Sequence, residues 1–235
     1  MPLLANTHGA CNSESGSEER HALDHNQLIR AAAKSVLRPI GCTQKGRSRT
    51  WLDDRGWWVG VIEFQPSSWS NGSYLNVGAS WLWTENVYLA FDHGDRIEEF
   101  HSFESPEQFN GVANSLAERA KTEILRLRSR FPTLHETATC LTGMKSPNIW
   151  HRFHAGIAAG LAGDVVTAKN NLAAIASETS EYQWVIDLQS KAAHLGSLSN
   201  DVGMFRSTIA KQICHTRTLL RLPRVDIESL LNAER

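Results

Sequence analysis

Five polar side chains stand close together in the first half of this 235-residue chain: Glu63, Gln65, Ser67, Ser68 and Asn76. A carboxylate beside two hydroxyls and two amides has the composition of a polar ligand site. With Glu63 as base and Ser67 or Ser68 as nucleophile it is the minimum of a hydrolase. That chemistry also needs a histidine, and the nearest in sequence are His93 and His101. No G-x-S-x-G elbow is present. The competing reading is turn chemistry, in which Gln65 and Asn76 satisfy the loop that carries Pro66 and Asn71. Trp69 lies in the same Ser-rich loop, where an indole either stacks on a partner or folds back over the sheet edge.

A second grouping is His151-x-x-His154, on one face of a predicted helix, with His135 and Cys140 upstream. Imidazole and thiolate together suit zinc. The spacing of the four is irregular and no H-E-x-x-H signature accompanies them, so the expectation is no metal, with the histidines structural. P-loop, dinucleotide and EF-hand signatures are absent from the sequence, and no cofactor is expected.

These residues must be positioned by an α+β fold. An amphipathic helix is predicted over 25–38, with Asp24 as its cap and Pro39-Ile40-Gly41 as its stop. Strands are predicted over 49–52, 57–65, 73–83, 87–91 and 96–100, with His93-Gly94-Asp95 turning between the last two. The simplest topology is an antiparallel meander of four or five strands packed against helices. In the second strand Trp58, Gly60, Ile62 and Phe64 share one face, and in the third Leu75, Val77, Ala79, Trp81 and Trp83 align. One sheet face is therefore expected to be apolar and the other mixed. A helix follows over 106–130, then a linker over 131–147 and an α-helical C-terminal bundle over 148–235. The division is a leader over 1–22, a sheet domain over 23–130, the linker and the bundle.

Composition narrows the field. Twenty-four Lys and Arg against 25 Asp and Glu give a net charge of -1, so no whole-molecule field draws the chain to nucleic acid or an anionic membrane. Charge is instead segregated. Seven basic residues lie between Arg30 and Arg55, and seven acids between Glu85 and Glu107 against Arg96 alone. Either the two segments compensate each other as solvated pairs or they form a polarised contact surface. A third stretch, Arg206, Lys211, Arg217, Arg221 and Arg224, reads as a helix with a basic side, but no nucleic-acid signature accompanies it and nucleic acid is not an expected partner. Cys11, Cys42, Cys140 and Cys214 form no C-x-x-C pair, and neither a signal peptide nor a membrane span is legible. Free thiols and a cytoplasmic location are expected. Of eight Trp, six fall in the sheet segment; most are expected in the core, and Trp69, then Trp57, are the rings whose exposure would carry functional meaning.

The segment from Gln27 to Phe103 resembles an uncharacterised bacterial family, a domain of unknown function. The likeness rests on Leu37-Arg38-Pro39-Ile40-Gly41, Gly46-Arg47-Ser48-Arg49-Thr50-Trp51, Gly56-Trp57-Trp58, Glu63-Phe64-Gln65-Pro66-Ser67-Ser68 and Tyr74-Leu75-Asn76-Val77-Gly78. It implies a helix-plus-sheet fold and supplies no substrate. Nucleophile, base and orienter cannot all be named, so the leading expectation is a non-enzymatic protein-binding or structural module with a protein partner, in its narrowest form a partner-neutralising immunity factor. The alternative is the hydrolase at Glu63, Gln65, Ser67 and Ser68.

Overall fold

The computed structural model describes residues 24–233; the expected leader over 1–22 lies outside them. Helix α1 (His25–Leu37) opens with a reciprocal cap: the Asp24 carboxylate accepts the Gln27 N–H at 2.7 Å, and Gln27 Oε1 accepts the Asp24 N–H at 3.0 Å. Two of the helix's unsatisfied N-terminal donors are thereby paired. Five strands follow, β1 (Thr43–Gln44), β2 (Thr50–Asp54), β3 (Trp58–Glu63), β4 (Gly72–Trp81) and β5 (His93–Ser102). They pair antiparallel in chain order, which is the expected meander. Helix α2 (Pro106–Arg130) then starts on a Ser105 cap with Pro at its first position, where the missing N–H costs nothing. It is followed by α3 (Leu134–Thr142), α4 (Ile149–Ala162), α5 (Val165–Ala176), α6 (Gln183–Leu198), α7 (Val202–Leu219) and α8 (Ile227–Ala233).

Register identifies which sheet face the helices cover. Gly60 pairs with Ala79, and a Cβ at Gly60 would stand 2.7 Å from Ile124 Cδ1 of α2. Alternation then puts Trp58, Ile62, Val77, Ala79 and Trp81 on the α2 side, all buried. Glu63 and Asn76, which also pair, lie on the other face. The separation into an apolar and a mixed face holds only from Glu63 outward, because Val59 and Val61 on the second face are buried as well. Residues 85–92 fold over that end: the Ala90 N–H donates to Ser80 Oγ at 3.1 Å, and Phe91 packs where a Gly78 Cβ would stand.

Three expectations need correction. Residues 87–91 are not a strand, because the N–H of Trp81 at the end of β4 is taken by the Asp92 carboxylate at 2.8 Å and not by a strand carbonyl. The fifth strand begins at His93, so His93-Gly94-Asp95 is ladder and not turn. Gly94 faces Gly78 there, and a Cβ on Gly94 would sit 2.5 Å from the Gly78 Cα, an approach only paired glycines allow. The stretch 131–147 contains α3, and Phe131, Leu134 and Leu141 are buried in one cluster that runs from Leu28 to Leu231. Its two prolines lie between helices, Pro132 after α2 and Pro147 before α4, without separating cores.

The C-terminal helices are tied to the sheet by a buried cation. Arg217 of α7 donates to both Asp54 carboxylate oxygens, at 2.8 and 2.7 Å, and to the Gly56 carbonyl at 2.7 Å. Arg206 is buried too, its Nε bound to the Leu161 carbonyl at 2.9 Å. The expected basic side of this helix is thus broken up, two of its cations serving as internal fasteners. No helix of the described residues is long and apolar enough to cross a membrane.

Candidate functional site

The polar residues singled out in the sequence separate into two groups. Glu63, Gln65 and Asn76 meet on the open sheet face: the Asn76 amide donates to Glu63 Oε2 and to Gln65 Oε1, each at 2.9 Å. Arg96 of β5 completes the network, donating to Gln65 Oε1 at 3.2 Å while its guanidinium lies 4.1 Å over the Tyr74 ring. Ser67 and Ser68 remain in the β3–β4 loop. Ser67 Oγ accepts the Trp69 N–H at 3.1 Å, a local turn bond. Trp69 itself is 95% exposed. Trp57, the other ring left open, is fully buried and stacked parallel to Trp81 and Trp83, with centroids 5.9 and 5.6 Å away.

The two histidines considered for a hydrolase are engaged elsewhere. His101 faces Glu98 at 3.7 Å, and His93 packs edge-on against Phe131 with centroids 5.0 Å apart. No hydrogen bond joins Ser67 or Ser68 to a histidine among the described residues, so nucleophile and base are not assembled. The zinc-like set also has other tasks. His151 Nδ1 accepts the Asn148 N–H at 3.3 Å as part of the α4 cap, and Cys140 Sγ accepts from Arg130 at 3.1 Å. Among the described residues no three His, Cys, Asp or Glu side chains converge as a metal site would require. Among the described residues the ion pairs of the acidic segment run to helices, Glu98 to Arg119 at 3.6 Å and Glu85 to Lys191 at 3.7 Å, or stay within the segment, Glu99 to Arg96 at 4.0 Å, and none runs to the basic hairpin.

A second region escaped the sequence reading. Between β5, α2 and the start of α4 lies a cleft of about 510 Å³ lined by Asp92, His93, Asp95, Glu123, Arg126, Arg130 and His151 with Val77, Phe91, Ile97, Leu127 and Met144. Behind it the Trp83 indole N–H donates to His154 Nδ1 at 3.1 Å, which places the ring proton on Nε2, 3.7 Å from Asp92 Oδ1. Burial, with a smaller push from His151, takes His154 down to about 3, so this contact is no ion pair at neutral pH. Burial raises Asp92 to about 6 against the opposing Trp81 N–H bond. His93 is held at about 4 by burial first, then by Arg130, His151 and Arg126. The only local hint in the sequence is Asp92-His93 itself.

The open-face network was legible because Glu63 and Asn76 sit at matching parity across one hairpin. Comparison of the chain with protein-family models, with curated proteins and with solved structures finds no match.

Proposed function

We propose that this chain is a non-enzymatic protein-binding module whose contact surface is the open sheet face, centred on Trp69 and continued by Tyr74 and Arg96. The observation that carries the reading is the 95% exposure of Trp69 on a loop closed at both ends by strands. An exposed indole is costly in water unless a partner covers it, and Trp, Tyr and Arg are the side chains that dominate binding energy at protein interfaces. Gln65 and Asn76 hold Arg96, and Glu63 holds Asn76, so this part of the surface is pre-organised and loses little entropy on contact. The likeness to the uncharacterised bacterial family rests on the residues quoted above and adds no activity. A cytoplasmic location fits the free Cys42, Cys140 and Cys214. Neutralisation of the partner is the narrowest form of the reading.

The test is comparative capture from a lysate of the source cell on immobilised chain. One protein retained in stoichiometric amount by the wild type and by Val166→Ala, a change at an exposed residue of α5, but lost with Trp69→Ala, is the expected result. Equal retention by Trp69→Ala, or no stoichiometric partner at all, overturns it.

A further inference from the structure

We propose that the cleft between β5, the C-terminal half of α2 and residues 143–151 binds a small organic anion, a carboxylate or phosphate on an apolar body, with Arg130 as its charged anchor. At about 510 Å³ the cleft has the size of small-molecule sites. Three carboxylates and two guanidiniums line it, and they are unequally engaged. Glu123 is fully engaged, Oε1 by Arg119 at 3.5 Å and Oε2 by Arg126 at 2.7 Å. Asp92 is turned toward the Trp81 N–H and His154, and Asp95 is exposed. Arg130 has no carboxylate partner among the described residues; its Nε donates to the soft Cys140 Sγ at 3.1 Å. A guanidinium with free terminal nitrogens is a ready receptor for a planar carboxylate or a phosphate.

His93 supplies the second polar contact. Its side chain makes no hydrogen bond among the described residues, and Arg130, His151 and Arg126 all bear on it electrostatically, opposed by Asp95. The guanidiniums of Arg126 and Arg130 therefore line the cleft together with one neutral ring, which can donate to an anion held beside it. Val77, Ile97, Leu127 and Met144 furnish apolar wall for the body of the ligand. The site shares no residue with the network of Glu63, Gln65, Asn76 and Arg96.

Benzoate and phenyl phosphate, with benzyl alcohol as the neutral control, are titrated into the full chain while the histidine ring resonances are followed by NMR, His93→Gln identifying the His93 signal. The expected result is a saturable shift of the His93 and His151 signals by at least one anion, an upward move of the His93 pKa in its presence, and no response to benzyl alcohol. The stronger of the two anions names the ligand headgroup. Arg130→Gln weakens binding about tenfold or more, the loss of one charged hydrogen-bonding anchor, while Arg96→Ala on the opposite face leaves it unchanged. If Arg130→Gln does not fold, Arg130→Met, which keeps the stem beside the Phe131 ring and removes the charge, carries the same test. Absence of a shift with both anions, equal binding of benzyl alcohol, or wild-type affinity in the folded arginine variant overturns the proposal.

Discussion

The two faces of the sheet solve the placement of polar groups in opposite ways. On the open face Glu63, Gln65, Asn76 and Arg96 bond one another in partial contact with water, and each side chain keeps its ordinary hydration as an alternative. On the covered face Asp92, His93 and His154 are drawn in with the tryptophans, and their proton affinities shift as a result. The first arrangement costs little and contributes little, as suits a surface meant to be touched. The second is expensive to assemble, and such expense concentrates where a fold holds chemistry or a ligand.

The largest expected effect therefore belongs to the covered face. Trp81→Ala removes a fully buried indole that contacts Trp57, Trp58, Trp83 and Phe131. A loss of about 3–5 kcal/mol of stability is expected in urea denaturation, as for other large aromatic truncations in cores. A loss below about 1 kcal/mol would mean that the covered face is not the structural one. Gly60→Ala comes next. Its Cβ would meet Ile124 Cδ1 at 2.7 Å and Asp53 Cβ at 3.1 Å, an overpacking worth about 1–3 kcal/mol, with Ile124→Val in the same chain restoring part of it.

Acid sharpens the comparison through the protons each state binds. As pH falls from 6.5 to about 4, unfolded His93 and His154 each take a proton, whereas in the folded chain they wait until about 4 and about 3. Both therefore destabilise the fold in that window. Asp92 acts in the other direction, because its folded form takes a proton at about 6 and its unfolded form only near 3.8. Its contribution is fully present at low pH and is lost as pH rises through 6. Asp92→Asn, whose amide oxygen can still accept the Trp81 N–H, removes that offset. Between pH 6 and 4 the net proton uptake that opposes folding is about one for these three groups together, and about one and a half to two once Asp92 is removed. Urea midpoints at pH 7.5, 5.5 and 4.5 should then fall more steeply for the variant, which gains on the wild type at pH 7.5. Parallel curves would show that Asp92 is not buried as described.

How much of this was legible follows from sequence distance. The Asp24–Gln27 cap, the Ser105-Pro106 helix start and the Glu63–Asn76 pair are local, governed by spacings of a few residues or by one hairpin's parity. Trp83 and His154 are 71 residues apart, and no periodicity links them. The cleft likewise draws on β5, α2 and the segment before α4, so it exists only once α2 has crossed the sheet. Residues 87–91 were misread as a strand because Val87, Tyr88 and Leu89 have strand propensity, which tertiary contacts overrode when Asp92 capped β4. The α3 segment was misread for the opposite reason: its threonines are weak helix formers, yet Thr133 serves as the cap, accepting the Glu136 N–H at 3.2 Å, and Leu134, Ala138 and Leu141 supply the buried face.

The smallest effect is expected where the proposed binding surface lies. Arg96→Ala deletes a bond to Gln65, a long contact to Asn76 Oδ1 at 3.5 Å and a stacked position over Tyr74. Each is exposed, and water replaces the lost donor, so stability should change by no more than about 0.5–1 kcal/mol. Trp69→Ala should change it still less, since the indole has almost no protein contact to lose. The informative quantity is the ratio of effects. If the open face is a contact surface, Trp69→Ala abolishes partner capture at unchanged urea midpoint, whereas Trp81→Ala lowers the midpoint and reduces capture only as far as it unfolds the chain. A Trp69→Ala variant that loses stability would instead place the indole against the fold, and the open face would then be structural like the covered one.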